Sequence, residues 1–542
     1  MMESNKPSKK YAFMPLAFAL VLCVGIYIGT RLQSPTAGES SFFSIGPNGF
    51  NKINDIISYI EQEYVDTVDK EKLTDMSIDK MLQSLDPHST YITASDFNAA
   101  NEPLEGNFEG IGVEFHIQDD TIMVVSAIAG GPSENVGIRS GDRIVKVNDT
   151  LVAGIGITNN DVMKKLRGQG GTKVKVKVYR RGSPRLLDFT ITRGRIPIYS
   201  LDASFMVDKE TGYVRISRFA ATTYDEFIKA STKLKSSGMK RIIIDLRGNP
   251  GGYLDAATKI ADEFISEGKS IVYTQGKSRP RTDYTSTSGG LFESTPVVVM
   301  IDEGSASASE VLSGALQDWD RGTIIGRRSF GKGLVQEQTL LPDGSAIRLT
   351  IARYFTPTGR SIQKPYEDGV ESYNMELNDR VGHSELLNPD SIRFPDSLKY
   401  TTPGGKIVYG GGGIMPDVFV PIDTTDNDNS FLIASLAGGA VSDFVYMFVD
   451  SERAQLQKFK DVDAFIKGFA VTDAIYTSFT RSVPKLSDAS FKPEEITGAA
   501  PYLKNQIKAQ ISRQLFRGEG FYPVWLQSDP MFKKALQVSA SK

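Results

Sequence analysis

Two short segments hold residue types that could carry acyl-transfer chemistry. In Glu303-Gly304-Ser305-Ala306-Ser307-Ala308-Ser309-Glu310, small residues leave room around a loop between a buried-looking strand (296–302) and a helix running to Trp319. Ser307 stands at the helix entrance with its hydroxyl exposed, where a nucleophile is wanted. Ser307-Ala308-Ser309-Glu310 equally fits a capping box, a purely structural device. The second segment is Arg247-Gly248-Asn249-Pro250-Gly251-Gly252, which follows the strand Ile242–Leu246 and precedes a helix. Its glycine pair lets backbone N–H groups approach a ligand oxygen, and the helix N-terminus adds positive potential, as an oxyanion hole requires. An ordinary strand-to-helix turn is the competing reading.

A serine nucleophile needs a base. With one cysteine, Cys23, and three histidines, His88, His116 and His383, the chain has no thiolate zinc site, disulfide framework or His-rich metal cluster. None of the histidines is placed to act as base; His88 reads as a turn-capping or packing residue. Lys332, flanked by Gly331 and Gly333, could take the role. A free lysine is neutral in only about 4 molecules per 10,000 at pH 7, so burial must lower its pKa by roughly 3 units, about 4 kcal/mol. An exposed turn lysine is the alternative. Two look-alikes are rejected. Gly326 to Lys332 matches a phosphate-binding loop, but Gly333 replaces the Mg²⁺-binding Ser or Thr and no helical pattern follows. Ser329-x-x-Lys332 spells a β-lactamase-like motif without its companions, and the pattern recurs at Ser77, Ser237, Ser266 and Ser361.

The elements that must position these residues form a multidomain chain, as 542 residues require. Residues 11–30 are an uncharged apolar run of membrane-spanning length. Lys6, Lys9 and Lys10 before it and Arg31 after it orient residues 1–10 to the cytoplasm. The run exceeds a usual signal-peptide core and lacks a small-x-small cleavage pattern, so a retained anchor is expected, followed by a linker at 31–48. Residues 49–103 read as helical, with apolar spacing at Phe50, Ile53, Ile56, Ile57, Ile60 and Tyr64 and a second helix ending at Asp86-Pro87. Residues 104–194 read as a small β-rich module with one helix near 159–167. From 195 to about 360 strands and helices alternate as in a parallel α/β layer. Residues 361–413 are polar and turn-rich, and 426–542 is helical, with a stripe at Leu503, Ile507, Ile511 and Leu515. Sixty-two basic against 65 acidic residues, a net charge of −3, exclude a nucleic-acid partner.

Six motifs in order, LDPHSTYIT (85–93), DLRGNPGG (245–252), SASASE (305–310), GKGLVQ (331–336), TPTGRSIQ (356–363) and GIMPDV (413–418), resemble the carboxyl-terminal processing, or tail-specific, serine proteases. The resemblance covers about residues 50–425. It implies an α/β protease core of that type at 195–425 with an insertion at 361–413, and a PDZ domain at 104–194. It implies Ser307 as nucleophile, Lys332 as general base, Gln336 assisting the lysine, and the N–H groups of Ala308 and of Gly252 or Gly251 as oxyanion donors. In the PDZ domain, Gly110, Ile111, Gly112 and Val113 would hold a peptide's terminal carboxylate and pair its strand, with Val162 and Leu166 lining the groove. Four residues of straight strand span about 13 Å, so either the chain bends near Gly333 or Gln336 reaches Lys332 only through a neighbour. The expected activity is endoproteolysis of proteins with apolar C-termini, without metal or cofactor, in a bacterial cell envelope with the catalytic part outside the inner membrane. Assembly as a homo-oligomer or with a regulatory partner stays open. The alternative function is a non-catalytic PDZ adaptor.

Overall fold

The computed structural model describes residues 14–31, 52–424, 428–437, 439–483 and 491–541. The chain divides into two compact units, Met1–Ile78 and Asp79–Lys542. The first contains helices Met14–Arg31 and Lys52–Glu63, and helix Lys70–Gln83 spans the division and stops short of Asp86-Pro87. Residues 1–10 and 32–48, expected as cytoplasmic end and linker, lie outside the described residues. Among the described residues no single helix is long and apolar enough to cross a membrane. The bent pair Ser430–Ala437 and Ala440–Ser451 passes by length and composition, and its Phe431, Val441, Phe444 and Val445 are buried in a helical core.

In the second unit, residues 113–192 form a six-stranded antiparallel sheet ordered Val113–Gln118, Thr121–Ala127, Arg143–Val147, Lys173–Tyr179, Leu187–Thr192, with Thr150–Leu151 added to Arg143–Val147. The alternation Lys-Val-Lys-Val-Lys-Val puts Val174, Val176 and Val178 into the core, as a period of two dictates. The helix Asn159–Leu166 starts on a reciprocal cap between Thr158 and Asp161.

The α/β core is built on a six-stranded sheet: Leu201–Met206, Thr211–Ile216, Arg241–Asp245, Val297–Ile301, Gly322–Gly326 and Val418–Phe419. Only the first pair is antiparallel. Its central strands Val297–Ile301 and Gly322–Gly326 are buried throughout because both faces are covered. Ile242, Ile244, Val297 and Val299 face the helices Thr223–Ser236, Leu254–Asp262 and Ala308–Asp318. Ile243, Val298, Met300 and Ile325 face Leu526, Met531, Phe532 and Ala535 of the C-terminal helices. The tail therefore supplies the second layer of this sheet. A buried ion pair fastens it there: Arg247 bridges Asp245 at 2.7 Å and Asp529 at 2.6 Å.

Beside this layer lies a second, wholly antiparallel sheet, not foreseen in the expected α/β layer, made of Thr90–Ile92, Ala346–Phe355, Ser270–Gln275 and Thr282–Thr285, with Leu334–Leu340 paired to Ala346–Phe355. The insertion is folded: helix Gly369–Gly382 and a hairpin of Lys399–Thr401 with Ile407–Tyr409. The tail is helical, with Leu503, Ile507 and Ile511 of helix Pro493–Phe516 fully buried.

Candidate active site

Ser307 sits between strand Val297–Ile301 and helix Ala308–Asp318 with φ 54° and ψ −114°. A side chain in that left-handed region costs about 1–3 kcal/mol and persists only where its surroundings dictate it. Here they do. The Ser307 N–H donates to Glu310 Oε2 at 2.8 Å, its carbonyl accepts from Tyr354 Oη at 3.1 Å, and Ala306 N–H is tied to the Asn249 carbonyl at 2.9 Å. The turn leaves Ser307 half-buried at the helix N-terminus, facing a cleft of about 460 Å³. The carboxylate half of the expected capping box is thus made, buried Glu310 accepting from the N–H of the same Ser307 whose side chain faces the cleft.

Lys332 reaches the same cleft from the irregular loop after strand Gly322–Gly326. Burial lowers its pKa below the usual lysine value and the Arg348 cation lowers it further, while Glu310 and Asp86 pull it back up. Its ammonium has no ion pair among the described residues. Its main chain is tightly held: Lys332 N–H donates to Glu310 Oε2 at 2.9 Å and Gly331 N–H to Glu310 Oε1 at 2.8 Å, while Tyr354 Oη donates to the Lys332 carbonyl. Glu310, fully buried, also accepts from the Ser329 hydroxyl. Burial pushes its carboxyl up to about 7, against the hydrogen bonds that favour the ionised form. One carboxylate and one tyrosine therefore lock the serine and lysine segments to each other. Neither role was foreseen: Glu310 read only as a cap, and Tyr354 carries no signal beyond its place on a strand.

Gln336 lines the cleft too. The bend that brings it there is a β-bulge between Val335 and Gln336, not at Gly333. Its Nε2 donates to Thr350 Oγ1 at 3.3 Å, and Thr350 Oγ1 donates to Asp86 Oδ1 at 3.0 Å. Asp86 caps its own turn, accepting from His88 and Ser89 N–H at 2.8 and 2.9 Å. His88 itself is a wall of the cleft, with Nε2 2.8 Å from Tyr373 Oη. Burial, then the Lys332 cation, lower its pKa to about 4, so at neutral pH it faces Lys332 uncharged.

Opposite stand Gly251 and Gly252. Gly251 N–H is already given to Asn249 Oδ1 at 2.9 Å. The N–H groups of Gly252 and Ala308 have no acceptor among the described residues, which separates the two glycines that the sequence left equivalent. Gly252 adopts φ 144°, and a Cβ there would lie 2.0 Å from the Phe219 carbonyl oxygen, so only glycine fits. Buried Asn249 shapes both turns, its side chain holding Gly251 and its carbonyl receiving Ala306 N–H and Ser309 Oγ.

In the β-rich module, Gly110, Ile111 and Gly112 are buried and Gly112 takes φ 74°. Strand Val113–Gln118 pairs with Thr121–Ala127 alone. Val162 and Leu166, expected to line the groove, are 0% and 4% exposed and pack with Ile111 in the module's core. Four residues apart on one helix face, they are drawn inward by the same hydrophobic burial that made them groove candidates.

Residues 210–372 match the peptidase family S41, residues 110–191 the PDZ domain, residues 29–95 the activating protease CtpB N-terminal domain, and residues 431–518 a family of unknown function. The carboxy-terminal processing protease CtpA of Bacillus subtilis is 35% identical over 353 residues, 64% of this chain and 74% of that protein. A carboxy-terminal-processing protease of Bartonella bacilliformis is 37% identical over 351 residues, 62% and 79% of the two chains. The photosystem II D1 C-terminal processing protease structure aligns at 27% identity and TM-score 0.35, covering 67% of this chain and 85% of that one.

Proposed function

Since the chain belongs to the carboxy-terminal processing proteases of peptidase family S41, serine-type peptidases, and carries a PDZ domain, we propose that it cleaves proteins bearing apolar C-termini through a Ser307–Lys332 dyad. The adaptor alternative is not retained. The observation that carries the reading is that Glu310 holds the backbones of Ser307 and Lys332 together at the wall of one cleft. Neutral Lys332 Nζ takes the Ser307 hydroxyl proton as Oγ attacks the scissile carbonyl carbon. The N–H groups of Gly252 and Ala308 stabilise the resulting oxyanion. Lys332 then protonates the leaving amine, and water, deprotonated by the same lysine, hydrolyses the Ser307 ester. Gln336, hydrogen-bonded through Thr350 to Asp86, orders the wall beside Lys332.

The PDZ domain captures the substrate's C-terminus along strand Val113–Gln118. The apolar run at residues 11–30, with Lys6, Lys9 and Lys10 before it, is the basis on which we further propose an inner-membrane anchor with the protease outside the membrane. Cleavage of an unfolded protein with an apolar C-terminus by wild type, Ser307→Ala and Lys332→Ala tests the dyad. Loss in both variants is expected; undiminished cleavage in either refutes it.

A further inference from the structure

The loop that delivers Lys332 has no regular secondary structure, yet every backbone polar group from Ser329 to Lys332 has a partner. The donors go to the core: Ser329 N–H to the Ile414 carbonyl, Phe330 N–H to the Ser305 carbonyl, and Gly331 and Lys332 N–H to Glu310. Of the four acceptors, the Gly331 carbonyl receives Lys364 N–H and that of Lys332 receives Tyr354 Oη, while the other two go to one side chain of the insertion. Arg380 Nη1 donates to the carbonyls of Arg328 at 3.3 Å and Ser329 at 2.8 Å, and Nη2 to that of Phe330 at 3.0 Å. Arg380 is 2% exposed and is held by Glu376, one helical turn earlier, at 2.7 Å. Glu376 also receives Lys364 at 2.9 Å and Arg328 at 3.2 Å, and Arg328 meets Glu385 at 2.6 Å.

Three cations thus share two carboxylates, and the loop carbonyls answer the surplus positive charge. A guanidinium suits the task because its rigid fork donates in several directions at once and stays charged when buried. Resting on the Ser307–Lys332 reading, we propose that the insertion acts as a buttress in which Arg380 is a positioning residue for the general base, gripping the carbonyl side of the Lys332 loop while Glu310 grips its N–H side. The same helix closes the cleft wall through Tyr373 and His88.

The test is steady-state peptide cleavage by the full chain, with thermal unfolding, for Arg380→Met, Arg380→Lys, Val408→Ala and Lys332→Ala. Arg380→Met keeps the side chain's bulk and removes the donors. It should lower kcat by about 30- to 100-fold with KM within about twofold, as a displaced base predicts. Arg380→Lys, which retains donors and charge, should recover about a tenfold part of that loss, and it decides the matter if Arg380→Met does not fold. Val408→Ala, a truncation of a buried residue on the insertion's hairpin, should lower thermal stability while the folded fraction keeps its kcat. Wild-type kcat in Arg380→Met or Arg380→Lys, or a loss that only tracks the folded fraction, overturns the proposal while an inactive Lys332→Ala leaves the dyad standing. An active Lys332→Ala overturns both.

Discussion

Tyr354→Phe removes one hydroxyl and nothing else from the join between the two catalytic segments. Tyr354 is 2% exposed and its single hydroxyl proton is shared between the carbonyls of Ser307 and Lys332. The two carbonyls are not equally dependent on it. Ser307 O also accepts from the N–H groups of Glu310 and Val311 at 2.8 and 2.9 Å, so it stays satisfied. Lys332 O has no other partner among the described residues and would be left unpaired. An unsatisfied buried acceptor costs about 1–3 kcal/mol, and the isosteric change opens no significant cavity, so urea unfolding should show a loss of about 1–3 kcal/mol. With the Lys332 carbonyl released, the lysine samples positions away from Ser307, and kcat should fall about tenfold or more at unchanged KM. Tyr373→Phe serves as comparison, since its hydroxyl meets His88 and not the backbone of either segment. A Tyr354→Phe enzyme within about 0.5 kcal/mol of wild type, with unchanged kcat, would refute the claim that this hydroxyl holds the dyad in register.

Three further outcomes follow from the same geometry. Because burial, aided by Arg348, lowers the Lys332 pKa, the neutral base is favoured as pH rises, so kcat/KM should climb along a limb centred below the ordinary lysine value of 10.5; a pH–rate profile flat from 6 to 10 contradicts it. Gly252→Ala places a methyl against the Phe219 carbonyl and displaces an oxyanion donor, so kcat should drop by about 10²–10³, read in steady-state peptide cleavage. Asp529→Ala leaves Arg247 with Asp245 but unpairs it from the tail. Urea unfolding should show a loss of about 3–4 kcal/mol, the lower part of the range for a broken buried pair, and activity should fall because Asn249 to Gly252 continue from Arg247.

Ser307, Lys332 and the glycine turn stood out locally only as candidates with ordinary structural alternatives, and their expected roles came from the resemblance carried by six ordered motifs; the structure brings all three to one cleft. Glu310 was visible only as a local cap, since its acceptors' partners at Ser329, Gly331 and Lys332 come from a distant segment. His88 was read as turn or packing; what makes it a cleft residue is the long-range pairing of Thr90–Ile92 with Ala346–Arg348. The second sheet escaped notice because Leu334–Leu340 is mostly exposed beyond its first residues and so lacks a strong apolar pattern. The tail's helices could be read from the Leu503–Leu515 stripe. Their role could not, since Met531 and Phe532 become part of the catalytic layer only by meeting Val298 and Met300 across a sheet face.

The central claim is covalent catalysis at Ser307, and mass spectrometry of acid-quenched enzyme during turnover of an apolar-tailed peptide reads it directly. An acyl adduct is expected on the peptide containing Ser307 and is expected to be absent in Ser307→Ala. Turnover without any adduct, or an adduct on another residue, would contradict it.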